Sequence, residues 1–123
     1  MLYGESISII MPAYNAEKTI TRAVESIQRQ TYSNWQLIIV NDGSNDATQE
    51  IIEKKCREDD RIEGYLIENS GPACARNYAM EHAKGKWIAF CDADDWFVSD
   101  ALDTMITAVH GNLSQLGVCY YTT

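Results

Sequence analysis

Three short apolar runs interrupt an otherwise mixed sequence, at residues 7–11, 36–40 and 87–91. Each run is continuous rather than alternating, contains residue types that favour strands, and is followed at once by polar, turn-forming residues. A continuous apolar run of this length is typical of a strand covered on both faces, as in a parallel sheet packed between helices. The three runs therefore predict three buried, parallel strands.

Helical patterns lie between these runs, and the clearest is the set of apolar residues at helical spacing within 16–30. Pro72 suits the first turn of a helix and Ser99 suits an N-cap. Further helices are predicted at 46–57, 72–84 and 100–110, and two weaker strands at 62–67 and 117–121. The order βαβαβαβαβ predicts an α/β fold, a Rossmann-like three-layer αβα arrangement with a mostly parallel sheet and right-handed connections.

The length and net charge of the chain limit the kinds of molecule that it is expected to bind. A chain of 123 residues is long enough for one hydrophobic core, and nothing in it indicates a linker or a repeat. A formal net charge of −8 argues against binding to nucleic acid or to an anionic membrane, because both reward basic patches. An acidic chain that binds a polyanion such as a diphosphate needs a metal ion, a few placed cations or backbone N–H groups.

The spacing of the cysteines and the N-terminal residues are the sequence features that bear on the cellular compartment of the protein. The four cysteines contain no CxxC pair and no His-Cys cluster, so a zinc site is not expected and the thiols are predicted to be reduced. The apolar run at 7–11 is too short for a signal peptide or a membrane span. A cytoplasmic location is predicted, with membrane association only through regions outside this chain.

Polar residues follow the three strong strands directly, as PAYNAEKT (12–19), NDGSNDAT (41–48) and DADDW (92–96). In a doubly wound sheet, ligands bind beyond the carboxyl ends of the strands, so these segments are expected to converge on one rim. Neither GxGxxG nor GxxxxGK[ST] is present, which argues against a glycine-rich phosphate loop. Carboxylates at the same rim instead favour a diphosphate held through a divalent cation.

Asp92, Asp94 and Asp95 place three carboxylates within four positions, directly after the third apolar run. Acids often occur in solvated turns and at helix N-termini, but three within four positions at a predicted rim favour a metal or ligand site. If the backbone stays extended there, alternation places Asp92 and Asp94 on one side and turns Asp95 away. Asp95 is then interpreted as a cap or a supporting acid.

Other candidates have plainer explanations that the sequence leaves open. Asp42 followed by glycine is also an ordinary turn, and Pro12 is interpreted as a strand terminator. Arg76 is either a surface helix residue or the cation that an acidic chain needs beside a phosphate. Tyr14 and Trp96 are either packing residues or surfaces on which a base stacks.

Taken together, SIIMPAYNAEKTI, LIIVNDGSNDAT and NSGPACARNYAMEHAKGKWIAFCDADDW resemble the family-two glycosyltransferases, the large inverting group with a GT-A fold. The resemblance implies contacts to a donor nucleotide from nine residues: Pro12, Ala13, Tyr14, Asn15, Asp42, Asn69, Arg76, Asp92 and Ala93. It also implies that Asp94, the last acid of the D-x-D motif, binds a divalent metal, Mn²⁺ or Mg²⁺, which bridges the diphosphate.

The family pattern divides these contacts among parts of the donor. The segment 12–15 would line the base pocket, and Asp42 would accept a hydrogen bond from a uracil-type ring. Asn69 and Arg76 would approach the base, ribose or diphosphate, while Asp92 and Ala93 would reach the ribose.

The resemblance implies a UDP-sugar donor and, as acceptor, a sugar or lipid-linked saccharide of a bacterial surface polysaccharide. It makes residues 1–123 the donor-binding portion, the N-terminal half of a GT-A fold. The acceptor site and general base are expected in a missing C-terminal portion, so no catalytic residue is assigned and the isolated chain is expected to be inactive. Apolar surface left exposed could let the chain form homo-oligomers.

Two other classes remain as alternatives. A dehalogenase-type phosphatase also carries D-x-D at a strand end, but there the motif follows the first strand rather than the fourth. A nucleotidyltransferase is not kept as an alternative, because it would need a glycine-rich loop after the first strand, and PAYNAEKT has no glycine. A non-catalytic module that binds a nucleotide and a metal is the other alternative.

Overall fold

Strands and helices alternate along the whole described chain, as the apolar pattern predicts. The computed structural model describes residues 4–111 and 118–120. Its elements are β1 (Ile7–Ala13), α1 (Ile20–Gln28), β2 (Trp35–Asp42), α2 (Thr48–Glu58), β3 (Ile62–Ile67), α3 (Pro72–Glu81), β4 (Trp87–Phe90), α4 (Ala101–Gly111) and β5 (Val118–Tyr120). Every predicted element is present, and β3 agrees at both ends; residues 117 and 121 of the predicted last strand lie outside the described part.

All five strands run parallel in the order β3-β2-β1-β4-β5. The chain first builds outward from β1 through β2 to β3, and then crosses back to place β4 on the other side of β1. The connections after β1 and β4 therefore leave the sheet in opposite directions, which opens a crevice at the carboxyl ends of these two strands. This topology confirms the predicted Rossmann-like arrangement.

The sheet is covered on both faces, which explains why its strands are continuously apolar. One core packs α1, α2 and α4 against the sheet, with Ile20, Val24 and Ile27 of α1 fully buried. The second core packs Ala75 and Ala79 of α3 against the opposite face. Small side chains let α3 approach the sheet closely, and the three-layer αβα prediction is confirmed.

Pro12 lies inside β1, so its interpretation as a strand terminator is wrong. It pairs in register with Val40 of β2, whereas the pairing of β1 with β4 ends at Ile10 and Phe90. Proline is tolerated where a strand has lost a neighbour, because its missing N–H is not required by a second ladder. Its position marks the point at which β1 and β4 separate.

Two helix starts differ from prediction. Helix α1 begins at Ile20 rather than at residue 16, and residues 16–19 form a turn in which the carbonyl of Ala16 accepts from the N–H groups of Thr19 and Ile20 at 3.0 and 2.9 Å. Helix α4 begins at Ala101, and the carbonyl of Asp100 accepts its first-turn hydrogen bond from Thr104, so Ser99 is not the N-cap.

Among the described residues, no helix is both long and apolar enough to cross a bilayer.

Candidate functional site

A cleft of about 890 Å³ opens at the carboxyl ends of β1, β2 and β4. It is lined by parts of all three polar segments that follow these strands, and by the start of α3. All ten residues proposed from the sequence line this cleft, namely Pro12, Ala13, Tyr14, Asn15, Asp42, Asn69, Arg76, Asp92, Ala93 and Asp94. The structure thus brings the candidates together, as the parallel topology requires.

Asn15 joins the loop after β1 to the loop after β2. Its backbone N–H donates to Ser44 Oγ at 2.8 Å, and its side-chain Oδ1 accepts from the N–H of Asn45 at 2.8 Å. Asn15 adopts a left-handed conformation with φ of 48°, which asparagine tolerates better than most residues. These contacts fix the wall of the cleft that also carries Tyr14.

Asp46 and Thr48 extend this connection between the two loops. Thr48 is fully buried and its Oγ1 accepts from the N–H of Ala16 at 2.8 Å, while Asp46 Oδ2 accepts from the N–H of Glu17 at 3.3 Å. The Thr48 hydroxyl donates to the Asp46 carboxylate and, with backbone N–H donors, lowers the pKa of Asp46 below its ordinary range. The first turn of α2 and the entry to α1 are therefore held as one unit.

Asp42 is the last residue of β2, and its side chain is almost completely buried. Its Oδ1 accepts from the N–H of Ser70 at 2.7 Å, and Oδ2 accepts from the N–H of Gly71 at 3.0 Å. The Asn69 side-chain amide donates to the carbonyl of Asp42 at 2.9 Å. Burial of a carboxylate is tolerated here because backbone N–H groups satisfy it.

Asp92, Asp94 and Asp95 lie in a turn after β4 rather than on an extended strand. The N–H of Asp95 donates to the carbonyl of Asp92 at 3.0 Å, which folds the segment back on itself. One carboxylate oxygen from each residue then lies within 4.8 Å of the other two. The expectation that Asp95 points away is therefore wrong, and since α4 begins only at Ala101, Asp95 is not its cap.

Arg76 reaches across the cleft from α3 to this turn. Its Nη2 lies 3.7 Å from Asp92 Oδ1, and both side chains are partly exposed. Partial burial raises the pKa of Asp92 above its ordinary value, with Asp95 and Asp94 adding to the rise and Arg76 opposing it. One guanidinium therefore offsets only part of the charge carried by three clustered acids.

The donor set of this turn fits a hard divalent cation. Carboxylate oxygens are the ligands that Mg²⁺ and Mn²⁺ prefer in proteins, and three of them converge here beside a cleft. Bound to such a group, a dication removes the repulsion among the acids. Asp94 is the most exposed of the three and lines the cleft, so it can approach a cation and a ligand together.

The two aromatic candidates differ in position. Tyr14 is 51% exposed and lines the cleft, so it is not a core residue. Trp96 is 37% exposed and lies under the guanidinium of Arg22, 4.2 Å from the ring centroid, in a cation–π contact rather than in the core. Trp96 does not appear among the residues that line the cleft in the described part of the chain.

Sequence reasoning missed several residues that line the cleft, above all Lys18, Asp46 and Gly71. Lys18 and Asp46 belong to the polar segments 12–19 and 41–48, so their position after the strands was the available signal. Gly71 lies directly before Pro72, at the start of α3, with a φ of 100° that favours glycine. That backbone conformation, which the sequence pattern does not reveal, accounts for its position.

Comparison with known proteins gives the same architecture. The family model described as glycosyl transferase family 2 matches residues 8–120. Among curated relatives, the UDP-Glc:alpha-D-GlcNAc-diphosphoundecaprenol beta-1,3-glucosyltransferase WfgD of Escherichia coli is 41% identical over 110 residues, which cover 86% of this chain and 42% of that protein.

Two solved structures are similar in fold. TarS 1-349 of S. aureus in complex with UDP-GlcNAc aligns with a TM-score of 0.80 at 30% identity, over 86% of this chain and 31% of that one. The mannosyltransferase PcManGT from Pyrobaculum calidifontis, in complex with GDP-Man and Mn²⁺, aligns with a TM-score of 0.67 at 26% identity, over 77% of this chain and 29% of that one.

The chain spans less than half the length of the curated relatives that it matches, between 16% and 42% of each. Within that span, the family model covers almost every residue, and the fold, the cleft and the acidic turn after β4 all lie inside the match. The chain therefore belongs to glycosyltransferase family 2.

Proposed function

We propose that this chain forms the donor-binding portion of an inverting, metal-dependent glycosyltransferase. The enzyme transfers a sugar from a nucleotide-diphosphate sugar, specifically a UDP-sugar, to an acceptor hydroxyl in the synthesis of a surface polysaccharide. Family membership supports the transferase class, and the UDP-GlcNAc complex of TarS supports the choice of donor. The diphosphoundecaprenol acceptor in the name of WfgD supports a lipid-linked saccharide as acceptor.

The observation that carries this proposal is the meeting of three acids and one guanidinium in a cleft of about 890 Å³. A nucleotide diphosphate presents negative phosphates at one end and a flat base at the other. An acidic rim repels the phosphates unless a cation lies between them, whereas Arg76 can contact them directly. The cleft is therefore suited to a nucleotide diphosphate that arrives with a divalent metal.

The proposed roles follow from position in the cleft. Asp94 holds the metal, and Arg76 contacts the diphosphate. Asp92 and Ala93 approach the ribose, and Asn69 approaches the base, ribose or diphosphate. When bound, the divalent metal stabilises the negative charge that develops on the leaving diphosphate, acting as a Lewis acid.

The base lies, in this proposal, against the wall that the loop after β1 forms. Tyr14 offers an exposed ring for stacking, and Pro12, Ala13 and Asn15 line the same wall of the cleft. Asp42 also lines the cleft, and its Oδ1, which accepts one bond from the N–H of Ser70, retains a lone pair that can accept a hydrogen bond from a base N–H.

Calorimetry with a panel of UDP, GDP, TDP and CDP, each with Mn²⁺ and with EDTA, tests the donor and the metal. We expect UDP to bind most tightly and at least about tenfold more tightly with Mn²⁺, as for a ligand bridged by a dication. Asp94→Asn should remove most of this metal dependence. Asp60→Asn is the matched control, because Asp60 is an exposed carboxylate on a different surface groove from the cleft.

Each part of the proposal has an outcome that contradicts it. Equal UDP affinity in Mn²⁺ and in EDTA would exclude the metal role, and a preference for another nucleotide would exclude the UDP-sugar donor. No sugar transfer is expected from the isolated chain, because the acceptor site and general base are assigned to a portion beyond it. Robust transfer by these 123 residues alone would overturn that assignment.

A further inference from the structure

The Asp42 carboxylate connects two parts of the cleft that are distant in sequence. Strand β2 ends at Asp42 and β3 ends at Ile67, its partner in register. The chain then passes over the end of the sheet, and the N–H groups of Ser70 and Gly71 each donate to one oxygen of Asp42, at 2.7 and 3.0 Å. This pair of bonds closes a loop of 28 to 29 residues.

Gly43 gives independent evidence that the same segment is fixed against the end of β2. Its φ is +70°, and a Cβ built on it would lie 2.8 Å from the backbone N of Asn69. The Asn69 amide also donates to the carbonyl of Asp42, at 2.9 Å. Hydrogen bonds and close packing therefore both hold residues 69–71 against residues 42–43.

Residues 69–71 lead directly into α3, and α3 carries Arg76. The carbonyl of Gly71 accepts from the N–H of Ala75 at 3.2 Å, so the position of Gly71 sets the start of the helix. Arg76 follows after one turn, with its Nη2 at 3.7 Å from Asp92 Oδ1. A chain of contacts thus runs from the Asp42 carboxylate through the backbone at Gly71 to the Arg76 guanidinium.

We infer that Asp42 is a positioning residue, which fixes the start of α3 and thereby aims Arg76 at the phosphates of the donor. The inference rests on the proposed function, because it assumes that Arg76 contacts a diphosphate. It goes beyond a contact with the base, since both carboxylate oxygens already accept backbone N–H groups. A residue that only recognises a base affects nucleotides according to their base, whereas a positioning residue affects all nucleoside diphosphates alike.

Hydrogen exchange in the nucleotide-free chain tests the positioning step by itself. Asp42→Asn preserves size but replaces one acceptor oxygen by an NH₂ group, which cannot accept from a backbone N–H. We expect at least one of the amides of Ser70 and Gly71, the one that loses its acceptor oxygen, to exchange about tenfold faster or more in Asp42→Asn, as for loss of a charge-assisted hydrogen bond. Amides of Ile38 and Ile39 within β2 should keep their rates, which excludes global unfolding as the cause.

Glu68→Gln is the matched control, because it removes a carboxylate charge from the exposed part of the same segment without removing a bond to Ser70 or Gly71. It should leave both exchange rates unchanged. Unchanged exchange at Ser70 and Gly71 in Asp42→Asn overturns the inference, and so does equal acceleration in Glu68→Gln.

A double-mutant cycle then tests whether Asp42 acts through Arg76. Asp42→Asn should weaken UDP, CDP and GDP all by about tenfold through Arg76, with any additional loss seen only for UDP coming from its separate contact with the base, and it should weaken UMP less, because UMP lacks the second phosphate. In an Arg76→Gln background, the further loss caused by Asp42→Asn should nearly disappear, since coupled residues are not additive. A merely structural role would leave the UDP to UMP affinity ratio unchanged.

Fully additive losses in the cycle, or a loss confined to UDP, would contradict the positioning role. If the wild-type chain binds no nucleotide, the proposed function fails, and the exchange rates at Ser70 and Gly71 still decide whether Asp42 fixes this segment.

Discussion

A single acid at one end of the sheet and a cluster of acids at the other end differ in the direction of their pKa shifts. Glu5 lies just before β1, at the amino end, where Lys86 Nζ and Trp87 Nε1 donate to it at 2.8 and 3.0 Å and the His110 ring also contacts it. These donors, Lys86 first, lower the pKa of Glu5 to about 2. At the carboxyl end, burial raises the pKa of Asp92, and Asp95 and Asp94 add to the rise.

The opposite directions of the two pKa shifts distinguish a carboxylate with a structural role from one that we propose to be near a bound ligand. Glu5 is stabilised as an anion by partners that belong to the fold, and it joins the segment before β1 to β4 and α4. The ionised form of Asp92 is disfavoured by the fold, even with Arg76 nearby. A carboxylate that remains under repulsion gains most from an added cation, so the carboxyl end is where a metal is expected.

Replacing Asp94 and Glu5 by the corresponding amides should give the largest difference in Mn²⁺ affinity between the two ends of the sheet. Asp94→Asn should reduce the affinity for Mn²⁺ alone by about tenfold or more, because an anionic ligand is lost from a three-carboxylate set. Glu5→Gln should leave Mn²⁺ affinity unchanged. Titration followed by the electron paramagnetic resonance of free Mn²⁺ measures both, and equal effects of the two variants would remove the distinction.

The pH dependence of Mn²⁺ binding sharpens the same contrast. Because the pKa of Asp92 is raised above 3.8, protons compete with the metal from a higher pH than at an ordinary aspartate. Below the raised pKa, Mn²⁺ affinity should fall by up to about tenfold per pH unit. Isothermal titrations between pH 7 and 4 check this, and Asp92→Asn should flatten the profile.

The raised pKa of Asp92 also fixes the direction in which folding stability changes with pH. An acid with a raised folded-state pKa costs stability as pH rises above its ordinary value, so the metal-free chain should lose stability as pH rises from 3.8 through the folded pKa of Asp92. Mn²⁺ should restore it, seen as a higher Tm at pH 7. A Tm that does not respond to Mn²⁺ would contradict this expectation.

Glu5 should show the opposite pH response, with a smaller effect. Its folded-state pKa of about 2 lies below the ordinary 4.5, so its stabilising contribution is complete above pH 4.5 and is lost as pH falls towards 2. Glu5→Gln should therefore lower Tm at neutral pH. The difference from wild type should shrink between pH 4.5 and 2 in thermal melts, and a constant difference would disprove the assignment.

An exposed ion pair on α1 gives the smallest expected effect. Arg29 Nη1 lies 3.9 Å from Glu25 Oε1, and the Arg29 side chain is 66% exposed. Surface pairs of this kind contribute about 0 to 0.5 kcal/mol, so Arg29→Gln should change neither Tm nor Mn²⁺ binding measurably. If Arg29→Gln clearly lowered Tm or Mn²⁺ affinity, closeness to an opposite charge would decide the effect of a charged side chain in this fold, rather than its burial and the sign of its neighbours.

Much of the fold was predictable because buried parallel strands have a strong signature. The apolar runs located β1, β2 and β4 to within a few residues, and parallel topology then implied that the polar segments meet at one edge. That reasoning placed Asp42 and Asp94 at one edge of the sheet, whereas Arg76 was assigned to the same site only through the family resemblance.

Other features depend on turn geometry, which a pattern of apolar residues does not contain. The acids after β4 were expected on an extended strand, but the hydrogen bond from Asp95 to Asp92 folds them together. The link between Asn15 and the 44–45 turn requires a left-handed φ that composition does not reveal. Lys18 was missed for the same reason, since its place depends on where α1 begins.

The central position of β1 has a consequence for folding during synthesis. Strand β1 pairs with β2 along its whole length, but its other neighbour is β4, and a hydrogen bond from Gly85 to Ser8 spans 77 residues. A ribosome that has released only β1 to β3 leaves one edge of β1 without a partner strand. The central strand is therefore completed only after Phe90 has emerged, so a nascent chain that stalls earlier exposes an adhesive edge.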